Sequence, residues 1–556
     1  MRIRLSRLRI WLVYTLAALL VIAPLLPRGY VLTLDMVFAP HARMPATVSN
    51  GYLFYAFLHG LNFVLPGDVI EKILLLTILL LAGVGMHRLV EYLGGKTADR
   101  PQKIGAYFAG TLYMVNPFTY DRLMAGQYLV LLGYALLPWF VRALLEFLDK
   151  PAVRRAVVMA VWAAIVGIVS IHAIGFMAIL VCVAISLKIW REREHKTWLR
   201  KLLKFGLISL GIFLIASSYW LVPLALGKGS TAGAIDNFGA GDRTAFATIG
   251  GSWIGRFGNV LSLQGFWAEA RNMYTLPQDV VPAWTLLTLL VWALVITGII
   301  SLWRAGKRDM VLLFGISASV AAILAIGTLN GWLAAHVPLF SGYREPEKFV
   351  ALIALLYAVF AAHGVIAVLK YCHVQAYLFG RQGGKFFLSF ASLILLLLPI
   401  VWTPTMLWGA NNQLAPVQYP ADWFTMNQRL DADRSNFQTL FLPWHLYLSF
   451  DFSGRIIANP GPSFFDKPMI ISDNPEFGGA AAAGSTSATR SLDAILPAVG
   501  SGDALGTRLA PLNIKYVLLA RDGDGAAAYG YLSRQADLKL VAKTATLELY
   551  RNEAWR

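Results

Sequence analysis

Two carboxylates and two arginines of this 556-residue chain stand where side chains of their kind could act on a substrate. Asp35, in Leu32-Thr33-Leu34-Asp35-Met36-Val37, has apolar neighbours. A carboxylate there is partly desolvated, which raises its pKa and suits it to accept a proton as a general base, although an ordinary loop aspartate reads the same way. The run Asn116-Pro117-Phe118-Thr119-Tyr120-Asp121-Arg122-Leu123-Met124-Ala125-Gly126-Gln127 packs an amide, an acid, a cation and a second amide into a short turn. Arg122 offers a planar fork matched to phosphate, or else forms an interfacial anchor with Asp121. In Tyr343-Arg344-Glu345-Pro346-Glu347-Lys348, a solvated helix start accounts for Glu347 and Lys348 better than for Arg344. His172 reads as a surface or capping residue, because no second histidine or acid lies at metal-ligand spacing. Segment 226–281 carries Asp236, Asp242, Arg243, Trp253, Arg256, Trp267, Glu269 and Arg271. Aromatic rings interspersed with carboxylates suit sugar recognition or a flap on a membrane surface, and structureless loops this long are uncommon without a role.

The elements that must position these groups are membrane spans. Hydrophobic residues make up 57% of the chain and charged residues only 14%, against about 25% in soluble proteins. Apolar runs of span length predict an α-helical polytopic membrane protein with about eleven transmembrane helices, near 10–26, 69–90, 104–119, 128–147, 155–170, 173–190, 204–225, 282–303, 310–327, 349–369 and 386–408. No small-x-small cleavage site follows the first run, so it reads as a retained anchor. Of the 35 Lys and Arg before residue 409, 24 fall in alternate loops or at the N-terminus. That alternation places the N-terminus in the cytoplasm and the C-terminus outside a plasma membrane. It also explains the net charge of +17 without nucleic acid, since residues 409–556 are nearly neutral, with 13 basic and 14 acidic side chains. The two cysteines, Cys182 and Cys372, fall at cytoplasm-facing helix ends, leaving no disulfide framework or cysteine-rich zinc site for the exported part.

Asn50 to Leu65 is too short to span and rich in Tyr and Phe, as expected of a helix lying along the membrane surface or of one buried in the bundle. Residues 1–408 therefore read as a transmembrane domain and 409–556 as a small extracytoplasmic α/β domain. In the latter, Tyr419-Pro420-Ala421-Asp422 starts a helix, strand-like runs cover 439–442, 516–519 and 538–550, and 478–488 is a Gly/Ala/Ser loop. It has no phosphate loop, no Gly-x-Ser-x-Gly and no His-Glu-x-x-His. The middles of the spans are almost free of ionisable groups, His363 being the main exception. Ion-coupled transporters place such groups at the midplane, so the pattern points to a site at the outer membrane interface.

Leu34-Asp35, the 116–139 run ending Tyr-Ala-Leu-Leu-Pro-Trp, Tyr343 to Phe349, Tyr419 to Trp423, Leu442-Pro-Trp-His445 and Leu512 to Leu519 resemble the polytopic GT-C glycosyltransferases. The nearest resemblance is to YfhO-like proteins and the membrane portion of mycobacterial arabinofuranosyltransferase D. The resemblance spans nearly the whole chain. It implies transfer of a sugar from a polyprenyl-phosphate donor to a glycan, glycolipid or glycoprotein acceptor, with inversion at the anomeric carbon. In that class an acid of the first outer loop serves as base, and Asp35 matches it. Many members carry two adjacent acids; here Met36 follows Asp35, so Asp121 is the substitute candidate. Arg344, and secondly Arg122, would meet the donor phosphate. Asn116, Gln127, His172, Glu345, Trp253 and Trp267 would line the substrate groove. No cofactor is evident, though a divalent cation on Asp35 and the 226–281 carboxylates stays open. A flippase or transporter, or a non-catalytic envelope-glycan assembly protein, are the alternatives.

Overall fold

In the computed structural model, residues 2–95, 99–228, 240–251, 254–375, 380–474, 487–500 and 503–556 are described. Helices dominate. The long ones are α1 (Arg2–Ile22), α3 (Gly67–Gly94), α4 (Arg100–Met114), α6 (Tyr128–Asp149), α7 (Val153–Val169), α8 (Ile171–Glu192), α9 (Lys196–Ala225), α10 (Trp284–Arg304), α11 (Arg308–Ile326), α12 (Val350–Gln375) and α13 (Gly380–Trp402). Among the described residues nine are long and apolar enough to cross a membrane, and the chain is a multi-pass membrane protein. The other two, α4 with 15 residues and α7 with 17, stand at the two remaining expected spans. Both still run from one end of the bundle to the other. The start of α3 packs on Ala39 of the first loop, and the segment after α4 returns to that loop through Gln127 and Asp35. Likewise α6 leaves this same end, and α8 begins there, where His172 meets Lys348.

The first loop is pinned at this end by the opening turn of α3. Asp68 accepts from the Gly29 amide (3.2 Å) and Glu71 from the Val31 amide (2.9 Å), while Lys72 donates to the Pro27 carbonyl. Carboxylates at a helix N-terminus, where backbone N–H groups point outward, are favoured electrostatically. Between the loop and α3 lies α2 (Tyr52–Asn62), which buries Phe54 and Leu58 and exposes Leu53 and Phe57. A helix apolar on both its buried and its open face suits a position beside lipid.

Helices cross closely where both carry glycine. A methyl on Gly298 of α10 would strike the Phe360 carbonyl oxygen, and one on Gly364 of α12 that of Leu294. Small residues let backbones approach and so supply the van der Waals packing that holds membrane helices together.

Among the described residues the C-terminal part carries α14 (Ala421–Ala432) and seven strands: β1 (Gln438–Leu442), β2 (Tyr447–Ser449), β3 (Ile456–Ala458), β4 (Met469–Ile470), β5 (Ile514–Ala520), β6 (Leu538–Lys543) and β7 (Leu547–Asn552). Five form one sheet in the order β4-β1-β5-β7-β6, parallel across β4, β1 and β5 and antiparallel thereafter; β2 and β3 make a separate pair. The expected single run over 538–550 is a hairpin, broken at Thr544–Thr546, because Leu547 to Asn552 pairs with both β5 and β6. Most of the 478–488 stretch lies outside the described residues; from Ser487 it is helical. Trp423, fully buried, anchors the core beneath the sheet, and Tyr30, Leu32 and Ala39 of the first loop join that core.

Gly364→Ala is expected to force α10 and α12 apart and to cost about 1–3 kcal/mol, the usual range for overpacking. Thermal unfolding in detergent, with Gly315→Ala as a control at an open position, checks it.

Candidate active site

The geometry is built from a tight turn. Thr33 and Met36 exchange backbone hydrogen bonds (3.1 and 2.7 Å), Leu34 sits at φ +29°, and Asp35 is thrust out of the turn. Such a backbone persists only where its surroundings hold it. Here the Asp35 amide donates to the Ala125 carbonyl (3.0 Å) and the Thr33 hydroxyl to that of Met124 (2.6 Å). Gly126, at φ +67°, lets the chain pass where any side chain would strike Thr33 and Met36. On the other side the Ala458 amide donates to the Leu34 carbonyl (2.7 Å), and Arg455 reaches Thr33 Oγ1 (3.1 Å) and the Gln413 carbonyl.

Asp35 lines a cleft of about 320 Å³ whose walls include Phe38, Arg43, Tyr55, Tyr128 and Asn459. Its Oδ1 accepts from the Tyr447 hydroxyl (2.6 Å) and its Oδ2 from Gln127 Nε2 (3.3 Å). The carboxyl is open to the cleft and ringed by protein elsewhere. Burial raises its pKa, against the lowering effect of the Tyr447 hydrogen bond, and nearby Glu345 adds to the rise.

Gln127 leads into a closed ionic core. Arg122, on α5 (Pro117–Met124), is wholly buried. It donates through Nη1 to Gln127 Oε1 (2.6 Å) and Glu345 Oε2 (2.8 Å), and its Nη2 pairs with Glu347. Lys348 pairs with Glu345 Oε1 at 3.2 Å and lies 3.1 Å from His172 Nε2. Burial alone would raise Glu345, yet Lys348 and Arg122 hold it well below the usual carboxylate range. The expectation that Arg122 clamps a lipid phosphate is therefore corrected. Its guanidinium is enclosed and spent on two glutamates, so it is a structural cation. Glu347 and Lys348, read as a solvated helix start, are buried in the same core.

Arg344 is half-buried, its guanidinium 4.4 Å above the Phe246 ring, and its charge is felt by both Glu345 and Tyr447 beside Asp35. Asn116 is a helix cap, its Oδ1 accepting from the Thr119 amide (3.1 Å) and its Nδ2 bonded to carbonyls one turn back. Trp267 is buried against Phe246 and Arg271, so it packs the loop. Trp253 lies outside the described residues.

Asp121 faces away from Asp35. Tyr274 donates to its Oδ1 (3.0 Å), and its neighbour is Glu269, whose Oε1 accepts from the amides of Gly265 (2.7 Å) and Phe266 (2.9 Å). Burial raises both pKa values, and for Asp121 the adjacent Glu269 charge raises it further. Two buried carboxyls so placed resist carrying two negative charges at once. Asp121 is thus half of a closed acid pair rather than a substitute base in the cleft. Among the described residues no three His, Cys, Asp or Glu side chains gather as metal ligands would.

Three participants gave no sequence signal as site residues. Tyr447 reaches Asp35 across 412 positions. Arg43, paired with Asp466 at 3.0 Å, enters the cleft from the first loop. Glu269 was one of several acids in a long loop, and only its partner distinguishes it.

Known structures share this fold. Arabinofuranosyltransferase AftD from Mycobacteria, solved by cryo-EM, matches with a TM-score of 0.59 at 15% identity over 98% of this chain and 40% of that one. A mutant form of the same protein matches with a TM-score of 0.60, again at 15% identity, over 98% and 41%. The fold is thus that of part of this solved protein, and the chain spans about 40% of the length of the solved chain it resembles. No curated protein matches it. The model of the family described as alpha-(1->3)-arabinofuranosyltransferase, N-terminal GT-C domain, matches residues 47–541, and the chain belongs to that family.

Arg122→Met is expected to leave Glu345 and Glu347 buried without their cation, at a cost of about 3–5 kcal/mol. Thermal unfolding should fall sharply and recover in part when Glu347→Gln is added. The acid pair makes a separate prediction. Because its carboxyls are raised in the folded state, the folded chain keeps a proton that the unfolded chain releases near pH 4. That contribution is present at acid pH and is lost as pH rises through the folded pKa. Asp121→Asn should flatten this decline, as read by the unfolding midpoint across a pH series.

Proposed function

We propose that the chain is a membrane glycosyltransferase that moves a sugar from a polyprenyl-phosphate donor to a hydroxyl of an extracytoplasmic glycan or glycolipid, with inversion. The observation that carries this is the Asp35 carboxyl, raised by burial, oriented by Tyr447 and Gln127, and open to a cleft beside α2. The family and the fold support the same class; a pentose is the sugar that the family description favours. The alternate-loop charge pattern supports an outward-facing cleft and C-terminus with a cytoplasmic N-terminus.

In this reading the acceptor oxygen bonds to the anomeric carbon while Asp35 takes its proton. The bond from that carbon to the phosphate oxygen breaks, and its electron pair leaves with the polyprenyl phosphate. Attack opposite to the leaving group inverts the centre. Arg344 and Arg43 supply cations for the charge that develops on the phosphate, a contribution of about 3 kcal/mol for one well-placed donor. Phe57 and Leu53 of α2, exposed at its open face, offer the prenyl chain an apolar edge. Tyr447 and Gln127 are positioning residues that fix the carboxyl.

Purified protein in nanodiscs, given a panel of labelled polyprenyl-phosphate sugars and glycan acceptors, tests this. Asp35→Asn should lose at least about 100-fold in transfer, the lower range for a general base, with insertion and abundance unchanged. Tyr447→Phe should lose less and shift the acidic limb of the pH profile, since a hydrogen bond that stabilises the carboxylate is gone. Full activity in Asp35→Asn would overturn the assignment.

A further inference from the structure

A second cavity, of about 490 Å³, has Glu269, the neighbour of Asp121, in its wall. It shares no lining residue with the Asp35 cleft. Its walls come from residues 249–251 and 258–278 and from the first three turns of α10, and its mouth is marked by exposed Gly251, Gln278, Thr285 and Leu289. We propose that this cavity binds an uncharged, polyhydroxylated sugar ring, at a site separate from the reacting groups.

The lining chemistry selects that class. Trp284 and Trp292 both stand in the wall, with their indole N–H groups already donated to the carbonyls of Trp402 (2.9 Å) and Leu261 (3.0 Å). The rings are thereby locked in place, leaving apolar surface for contact with the C–H face of a sugar. Opposite stand two amides: Gln264 Nε2 donates to Gln278 Oε1 at 2.6 Å. Their remaining carbonyl and amino groups have no partner among the described residues, so the pair presents one acceptor and one donor. A vicinal diol offers the matching donor and acceptor. Glu269 supplies a carboxyl at the inner wall. Among the described residues no Lys, Arg or His lines the cavity, so a phosphate or carboxylate ligand would find no counter-charge there, and a bare lipid chain would leave the amides unpaired. The volume falls in the range of small-molecule sites, about 300–1,000 Å³.

The site connects to the cleft without merging with it. Glu269 pairs with Asp121, the next residue is Arg122, and Arg122 reaches Asp35 through Gln127. A ring held here is therefore a remote unit of a glycan, or the headgroup of a glycolipid arriving beside α10, and not the sugar undergoing transfer. The inference rests on the proposed function only in its choice of neutral sugars as probes.

Binding, measured apart from transfer, tests it. Full-length protein in nanodiscs is titrated with short neutral pentose and hexose oligosaccharides and with their alkyl glycosides, using saturation-transfer NMR and calorimetry. Gln264→Leu with Gln278→Leu should weaken binding about tenfold or more, the effect of losing one to two hydrogen bonds, with the thermal midpoint unchanged. Asp35→Asn should bind as the parent does, so a failed glycosyltransferase assignment is told apart from a failed sugar site. Binding of free oligosaccharides supports the site with a glycan as source, and binding of alkyl glycosides alone supports it with a glycolipid. Absence of binding, equal binding by the double variant, or tighter binding of a sugar phosphate than of the neutral sugar overturns it.

Discussion

A single enclosed guanidinium organises this protein. Arg122 has no access to water, and an isolated charge in such a place is costly by several kcal/mol. The structure answers with Glu345 and Glu347, then balances the surplus negative charge with Lys348, so the four together are neutral. To meet, α5 must hold its arginine against the start of α12, and α8 must bring His172 to the ammonium. Three otherwise independent pieces of the bundle are located by one electrostatic requirement. Gln127, bonded both to that core and to Asp35, passes the placement on to the cleft.

The core also divides two chemistries. On one side a carboxyl opens to a cleft with cations and aromatic rings nearby; on the other, two buried acids are held behind Tyr274. Asp121 and Arg122 are adjacent in sequence yet face these different surroundings, because each residue of a helix is rotated about 100° from the one before it. A motif read as one functional unit is in fact a partition.

Much of the architecture was legible because its physics is local. Span positions follow from runs of apolar residues, and among the described residues nine helices of crossing length stand where those runs predicted spans. Asp35, Gln127, Arg122 and Glu345 could be singled out because polar groups among apolar neighbours must have a reason to be there. What they do could not be read as easily. Whether Arg122 faces a ligand or two glutamates depends on a segment more than two hundred residues away, and sequence spacing carries nothing about that. Tyr447 was invisible for a different reason: a tyrosine in a strand is ordinary until its hydroxyl is seen against a carboxylate. Asn116 and Trp267 were over-read, since a cap and a packing ring share their residue types with binding groups.

Beside the side-chain contacts of Arg43, Tyr447 and Arg455, the first loop joins the bundle to the sheet region through main-chain bonds: Tyr30 with Val417 in both directions, and Ala458 with Leu34. Such bonds make no demand on side-chain identity. The seam can therefore survive extensive sequence drift as long as the backbone path is kept.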